Sequence, residues 1–299
     1  GDVYKRQGMR KATAQVAFSI PAILLVAVAI GWAGSQGGQR VGEIPVFAFC
    51  GILCFALNWL VFIHAYAAQT ERYFDLTGSL TYLTVVACGV ALGNRDPRAL
   101  LLALLVGVWA LRLGTFLFSR IRRDGVDHRF DALKPDFARF LLTWTLQGLW
   151  VFLTVSCALA AITAAAAQPL GALAALGTAV WIAGFAIETI ADRQKAVFRA
   201  DPANRDRFIS TGLWAWSRHP NYCGEILLWI GVALIALPAL SGWSLVTLIS
   251  PLFVYLLLTR ISGIPLLESR SQAKWGDSPD YQAYKARTPV LWLRPPAGS

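Results

Sequence analysis

Charge is scarce in this chain. Of its 299 residues only 15% are Asp, Glu, Lys or Arg, while 56% are hydrophobic and the mean hydropathy is +0.53. Soluble globular domains carry about 25% charged residues, so an ordinary soluble fold is excluded. Histidine is nearly absent: His64, His128 and His219 lie far apart, and no metal site is expected. The five cysteines, Cys50, Cys54, Cys88, Cys157 and Cys223, sit in or beside apolar runs. They read as small packing residues, neither a disulfide framework nor a metal site. Neither a P-loop nor a GxGxxG fingerprint is present, which removes the soluble nucleotide-binding folds. Short alternating apolar–polar strands are missing too. A chain that enters lipid must bond its own backbone groups, and here helices rather than a barrel do so. Methionine occurs once, at Met9, and residues 1–8 are read as a leader outside the fold.

Long apolar runs are what the chain has. A bilayer core takes about 20 helical residues. Candidate spans run over 13–33, 44–67, 77–93, 98–118, 140–164, 168–190, 222–238 and 243–261, seven or eight in all. Two connections, at Ala165–Gln168 and Ser241–Gly242, are short enough for tight helical hairpins. The expected fold is all-α: a polytopic transmembrane helical bundle, one membrane domain over residues 9–299, with cytosolic basic loops.

The lysines and arginines orient that bundle. With the N-terminus inside and eight crossings, 23 of the 27 Lys and Arg fall on the inside. Only Arg40, Arg95 and Arg98 fall outside, and Arg112 lies within a span. This is the positive-inside pattern. It places both termini on the cytosolic side of the membrane and assigns most of the net charge of +10 to topology and anionic lipid. The charge is spread over several loops, so nucleic acid is not an expected partner. Nor does the sequence call for an obligate protein partner.

Chemistry concentrates between Glu188 and Glu225. Glu188, Asp192, Lys195 and Arg199 recur at spacings of four, three and four, one face of a helix. Arg205, Arg207, Arg218 and His219 follow, interleaved with Trp214, Trp216 and Tyr222, and then come Asn221 and Glu225. Guanidinium forks suit phosphate oxygens, and flat rings offer stacking surfaces or belong to an interfacial belt. A charged stripe can equally be the solvated end of a membrane helix. Arg112, alone in an apolar run, faces either the bundle interior, toward a phosphate or an acid, or the interface. Trp144 and Gln147 read as packing or polar glue between helices.

The stretch from Thr211-Gly-Leu-Trp214 to Ser217-Arg-His-Pro-Asn-Tyr-Cys-Gly-Glu225 resembles the C-terminal signature of the membrane steroid 5-alpha-reductase family and its bacterial relatives. Sterol reductases and isoprenylcysteine carboxyl methyltransferases carry similar sequences. Arg112-Leu-Gly114 and the loop from Arg120 to Gly125 extend the likeness. So does the tail, with Glu268, Lys274-Trp-Gly276, Tyr281-Gln-Ala-Tyr284 and Arg287-Thr-Pro289. The resemblance implies a cavity within the membrane helices, over residues 188–295, that binds NADPH from the cytosolic side. Asp192, Arg199 and Arg207 match positions that hold the cofactor. Asn221 and Glu225 match the asparagine and acid of the terminal motif, and Tyr281 and Tyr284 match tyrosines that close the site. Glu188 stands where the steroid enzymes have asparagine, and Asp206 where they have tyrosine.

The resemblance thus implies reduction of a carbon–carbon double bond conjugated to a carbonyl, in a steroid or isoprenoid that enters from lipid. The cofactor carries the hydride and the protein supplies placement and electrostatics. Charge that builds on the carbonyl oxygen needs a donor, for which the candidates are Asp75, at the entrance to the third span, and Tyr82, two turns along the same face. Asp75 can instead be a helix N-cap. Trp109 stands where the steroid enzymes place a tyrosine, and an indole releases no useful proton. Two other readings stay open: a methyltransferase using S-adenosylmethionine, and a non-catalytic membrane binding protein.

Overall fold

The structure, a computed structural model, describes residues 2–124 and 127–296, with side chains from Val16 onward except at 120, 123, 124 and 128. Gly1, Gly125 of the basic loop and residues 297–299 lie outside the described residues. The described chain is helical apart from one short hairpin. In order come α1 (Asp2–Gly34), the antiparallel β1 (Arg40–Val41) and β2 (Ile44–Pro45), α2 (Val46–Ala67), α3 (Phe74–Leu92), α4 (Pro97–Asp124) and α5 (Phe137–Ile162). Then follow α6 (Ala172–Ala200), α7 (Pro220–Ala236), α8 (Ile249–Leu256), α9 (Ile264–Trp275) and α10 (Pro279–Arg287).

Eight segments are long and apolar enough to cross a bilayer: Val16–Gly34, Val46–Ala67, Phe74–Leu92, Pro97–Ser119, Phe137–Ile162, Ala172–Ala200, Pro220–Ala239 and Gly242–Trp275. The protein is therefore an all-α, polytopic, membrane-embedded fold. The sixth span runs well past the expected end at residue 190, to Ala200. The eighth is not one helix. Its first turns, Gly242–Leu248, are 3-10, and α8 ends in a π turn over Leu257–Ile261 before α9 begins. The expected hairpin at Ser241–Gly242 is a stepped connection, because Pro238 supplies no backbone donor. Ser241 and Ser244 cap the next turn reciprocally.

Two compact units divide the chain. The first comprises residues 1–171 and 236–250, the second 172–235 and 251–299. In the first unit α5 is the most enclosed span, with 83% of its apolar window buried. Polar side chains pin it. Gln147 Nε2 donates to the Phe74 carbonyl at 2.7 Å, Thr145 Oγ1 accepts from Trp59 Nε1 at 3.0 Å, and Ser156 Oγ donates to the Thr247 carbonyl at 2.9 Å. Gln147 is thus glue between α5 and α3, and Trp144 is packing, buried against Phe74 and Phe140. A buried ion pair, Lys134 Nζ to Glu71 Oε2 at 2.7 Å, ties the α4–α5 connection to the start of α3.

In the second unit α6 and α7 meet along glycines. A Cβ on Gly184 would lie 2.5 Å from the Leu228 nitrogen, and one on Gly224 would lie 2.5 Å from the Glu188 nitrogen. Seven residues away in each helix, Gly177 and Gly231 repeat the contact. Lipid gives membrane helices no hydrophobic drive to associate, so close backbone approach through small residues supplies dispersion contact instead.

Candidate functional site

Local chemistry in the second unit begins with α6. Its seam against α7 holds Glu188 and Asp192 out of solvent, at 3% and 9% exposure. The charged stripe is therefore no plain solvated helix end; its acidic half is buried. Asp192 Oδ1 accepts a hydrogen bond from Asn221 Nδ2, at 3.2 Å, on the first turn of α7. The basic half, Lys195 and Arg199, reaches a cavity.

The cavity measures about 260 Å³. Among the described residues its lining carries four arginines, Arg199, Arg207, Arg218 and Arg270, two lysines, Lys195 and Lys274, and one carboxylate, Glu268. Aromatic rings form the walls. Phe208 meets Tyr281 and Tyr284 at 5.1 and 5.3 Å between centroids, and Lys195 Nζ sits 4.5 Å over the Trp214 ring. The two tyrosines lie on α10, and the Tyr284 hydroxyl donates to the Trp214 carbonyl at 2.7 Å. Burial raises both phenols above their ordinary value, so they stay neutral donors.

The segment before α7 is fixed by the C-terminal tail. Arg218 N donates to the Pro289 carbonyl at 2.8 Å, and Ser217 Oγ to the Leu291 carbonyl at 2.7 Å. Glu268 of α9 then bridges two neighbours, Arg218 Nη1 at 2.5 Å and His219 Nε2 at 2.9 Å. His219 is buried and stacks on Tyr222, with centroids 5.7 Å apart and planes at 11°. Burial pushes its imidazole below the ordinary value, against the pull of Glu268. A neutral ring that gives its Nε2 proton to Glu268 keeps a lone pair on Nδ1. That atom, Arg218 Nε and Asn221 Oδ1 are buried without a hydrogen-bond partner among the described residues. Buried polar atoms normally have partners, and here one donor and two acceptors lack one among the described residues.

Of the residues expected to hold a cofactor, Lys195, Arg199, Arg207, Arg218, His219, Tyr281 and Tyr284 all line this cavity. Glu188, Asp192, Asn221, Tyr222 and Glu225 stand in the adjoining part of α6 and α7, outside the lining. Phe208, Arg270 and Ser271 line it without having been expected. Leu267, Ser271 and Lys274 recur at spacings of four and three in α9, the periodicity by which that face can be found in the sequence.

Asp75, Tyr82 and Arg112 belong to the first unit. Tyr73 is the N-cap of α3, so Asp75 lies in the helix's first turn and is not a cap. Tyr82 is buried, its ring edge-on to Trp109 at 5.1 Å. Arg112 is half-buried, its guanidinium 5.4 Å from the centre of the Phe116 ring.

Residues 61–288 match a family described as "Protein of unknown function (DUF1295)". Among curated proteins the chain is similar to the Schizosaccharomyces pombe "Uncharacterized protein C594.04c", 26% identical over 210 residues, which cover 60% of each chain. The chain thus spans about three fifths of the length of that relative. No solved structure matches.

Proposed function

The chain belongs to the DUF1295 family, and we propose that it is an NADPH-dependent reductase of a carbon–carbon double bond conjugated to a carbonyl in a lipid-like substrate. One observation carries the reading: six cationic side chains and one carboxylate line a single aromatic-walled cavity. NADPH brings two bridging phosphates and a 2′-phosphate, which such a lining attracts. S-adenosylmethionine carries a sulfonium and an ammonium against one carboxylate, and the same lining repels it. Two buried atoms of lining residues support it as well, since Arg218 Nε can donate and His219 Nδ1 can accept from a hydroxyl or amide. At about 260 Å³ the cavity is near the lower end of ligand pockets, about 300–1,000 Å³. It suits the phosphate-bearing half of a dinucleotide.

In this reading Arg199, Arg207, Arg218 and Arg270 hold phosphate, Lys195 and Lys274 add charge, and Trp214 and Phe208 give flat contact. NADPH, when bound, supplies a hydride. Asp75 and Tyr82 are the proposed proton donors. The substrate comes from the surrounding lipid, and the termini lie on the cytosolic, Lys- and Arg-rich side.

The test is a thermal shift of the detergent-purified protein with NADPH, NADH and S-adenosylmethionine. A ligand at 100 times its Kd stabilises the folded state by about 2.7 kcal/mol. NADPH should raise the melting temperature most, and Arg199→Ala or Arg207→Ala should abolish the rise. Selective stabilisation by S-adenosylmethionine overturns the reading.

A further inference from the structure

A second cavity lies wholly in the first unit, between α1 and α2, and has a different character. It measures about 800 Å³ and is walled by apolar side chains, with a polar rim at one end. Small residues make the room. Gly31 is buried, yet a Cβ built on it would meet no atom within 4 Å, so the space before it is the cavity itself. Ala27, Ala48 and Ala56 leave further room along both helices. Val28, Trp32 and Ile52 line the cleft and are 67%, 55% and 64% exposed, so it opens sideways between two membrane spans.

A cleft of this kind opens onto acyl chains. Water would find few polar partners in it, and an unfilled void of this size would forfeit the dispersion contacts of its walls. The rim adds selectivity. Ser35, Gln36 and Arg40 stand at the turn from α1 into the hairpin, and Arg40 is the one charged lining residue among those described. By the charge pattern of the sequence this turn is on the side poor in Lys and Arg, so a cation there is not explained by topology. The other two arginines assigned to that side have backbone tasks. Arg95 donates to the Val90 and Ala91 carbonyls at the end of α3, and Arg98 donates to the Pro169 carbonyl. Arg40 meets the exposed Glu43 only at 3.8 Å between charged atoms and bonds its backbone carbonyl.

We propose that this cleft is a binding site for one anionic phospholipid, its acyl chain laid between α1 and α2 along Gly31 and its phosphate against Arg40. The site is separate from the cation-lined cavity and does not depend on the reductase reading.

Native mass spectrometry of the full chain tests it, after delipidation and titration with phosphatidylglycerol or phosphatidylcholine of the same acyl composition. One phosphatidylglycerol per chain should be retained preferentially. Gly31→Leu starts from a Cβ with no atom within 4 Å, extends into the open space and should weaken retention of both lipids about tenfold or more. Arg40→Gln should weaken phosphatidylglycerol more than phosphatidylcholine, whose phosphate is offset by its own choline cation, and so remove the preference for phosphatidylglycerol. Ala56→Leu, on the facing helix, repeats the block should Gly31→Leu fail to fold. Unchanged retention in a folded blocking variant, or equal retention of the two lipids by the unmodified chain, overturns the proposal.

Discussion

Changing Gly184 to alanine tests the physical basis of the second unit with the smallest possible perturbation. A methyl group at that position would sit 2.5 Å from the Leu228 nitrogen and 2.6 Å from the Gly224 carbonyl oxygen. Both are backbone atoms, so no side-chain rotation relieves the contact. Moving from 2.5 Å out to the 3.4 Å of ordinary contact requires a shift of about 0.9 Å between α6 and α7. Overpacking of this kind costs about 1–3 kcal/mol, which is a fall in melting temperature of about 2–10 °C for a chain of this size. The same shift moves Lys195 and Arg199, on the last turns of α6, relative to Arg218 and His219, which lead into α7. Affinity for whatever the cation-lined cavity holds should fall with it. The assay is tryptophan-fluorescence melting in detergent, followed by a ligand titration near the wild-type Kd. Gly107→Ala is the control: it lies in α4 with no atom within 4 Å of the added carbon. It should gain about 0.5–1 kcal/mol from helix propensity. A Gly184→Ala protein that melts at or above the wild type, or a Gly107→Ala protein that falls as far, would refute the argument.

Lys134→Met should destabilise the first unit by about 3–5 kcal/mol, because it strands the Glu71 carboxylate at 4% side-chain exposure; pairing it with Glu71→Gln should restore part of the loss in a denaturation series. Burial opposes the charge of Glu71, but Lys134 and the Asp127 N–H outweigh it and hold the carboxyl below its usual 4.5. The stability it contributes is present above pH 4.5 and lost as pH falls through the lowered value, and a melting-versus-pH curve should lose that acid limb in Lys134→Met. For His219 the unfolded chain takes a proton near 6.5 while burial, Lys195 and Arg218 resist it in the fold, against Glu268. Stability should therefore decline as pH falls below 6.5, and His219→Gln should flatten that slope. Gln147→Leu removes the 2.7 Å bond to the Phe74 carbonyl and leaves that acceptor in an apolar span; a loss of about 1–3 kcal/mol in the same assay is expected.

Hydropathy made the spans legible because each is a contiguous property of about 20 residues. It set the end of the sixth apolar span at residue 190, just before Arg193, Lys195 and Arg199 charge the helix. The Glu188-to-Arg199 spacing carried the continuation, since only a helix puts those side chains on one face. What the sequence hid is non-local. The chain leaves the first unit at residue 171 and returns to it over 236–250, and no local pattern announces that exchange. Arg270 and Ser271 read as ordinary polar tail residues until α9 turns that face toward Glu268's neighbours. The Asp75 cap failed for a simpler reason: α3 begins two residues earlier than such a cap requires, at Phe74, with Tyr73 as its N-cap.

The cation-lined cavity is expensive for the fold that carries it. Like charges about 8 Å apart repel by about 2 kcal/mol even at an effective dielectric of about 20. Six of them border a cavity of about 260 Å³. Glu268 answers Arg218, and Asp206 answers Lys274 at 3.3 Å. Membrane packing asks for none of this, since the seam of α6 and α7 is made by glycines and the tail is anchored by backbone bonds to Ser217 and Arg218. A polyanion bound there would lower whatever repulsion the ligand-free protein keeps, and that relief would be coupled to binding. That coupling ties the stability of the second unit to ionic strength: salt screens the repulsion in the ligand-free protein and weakens the attraction of a polyanion.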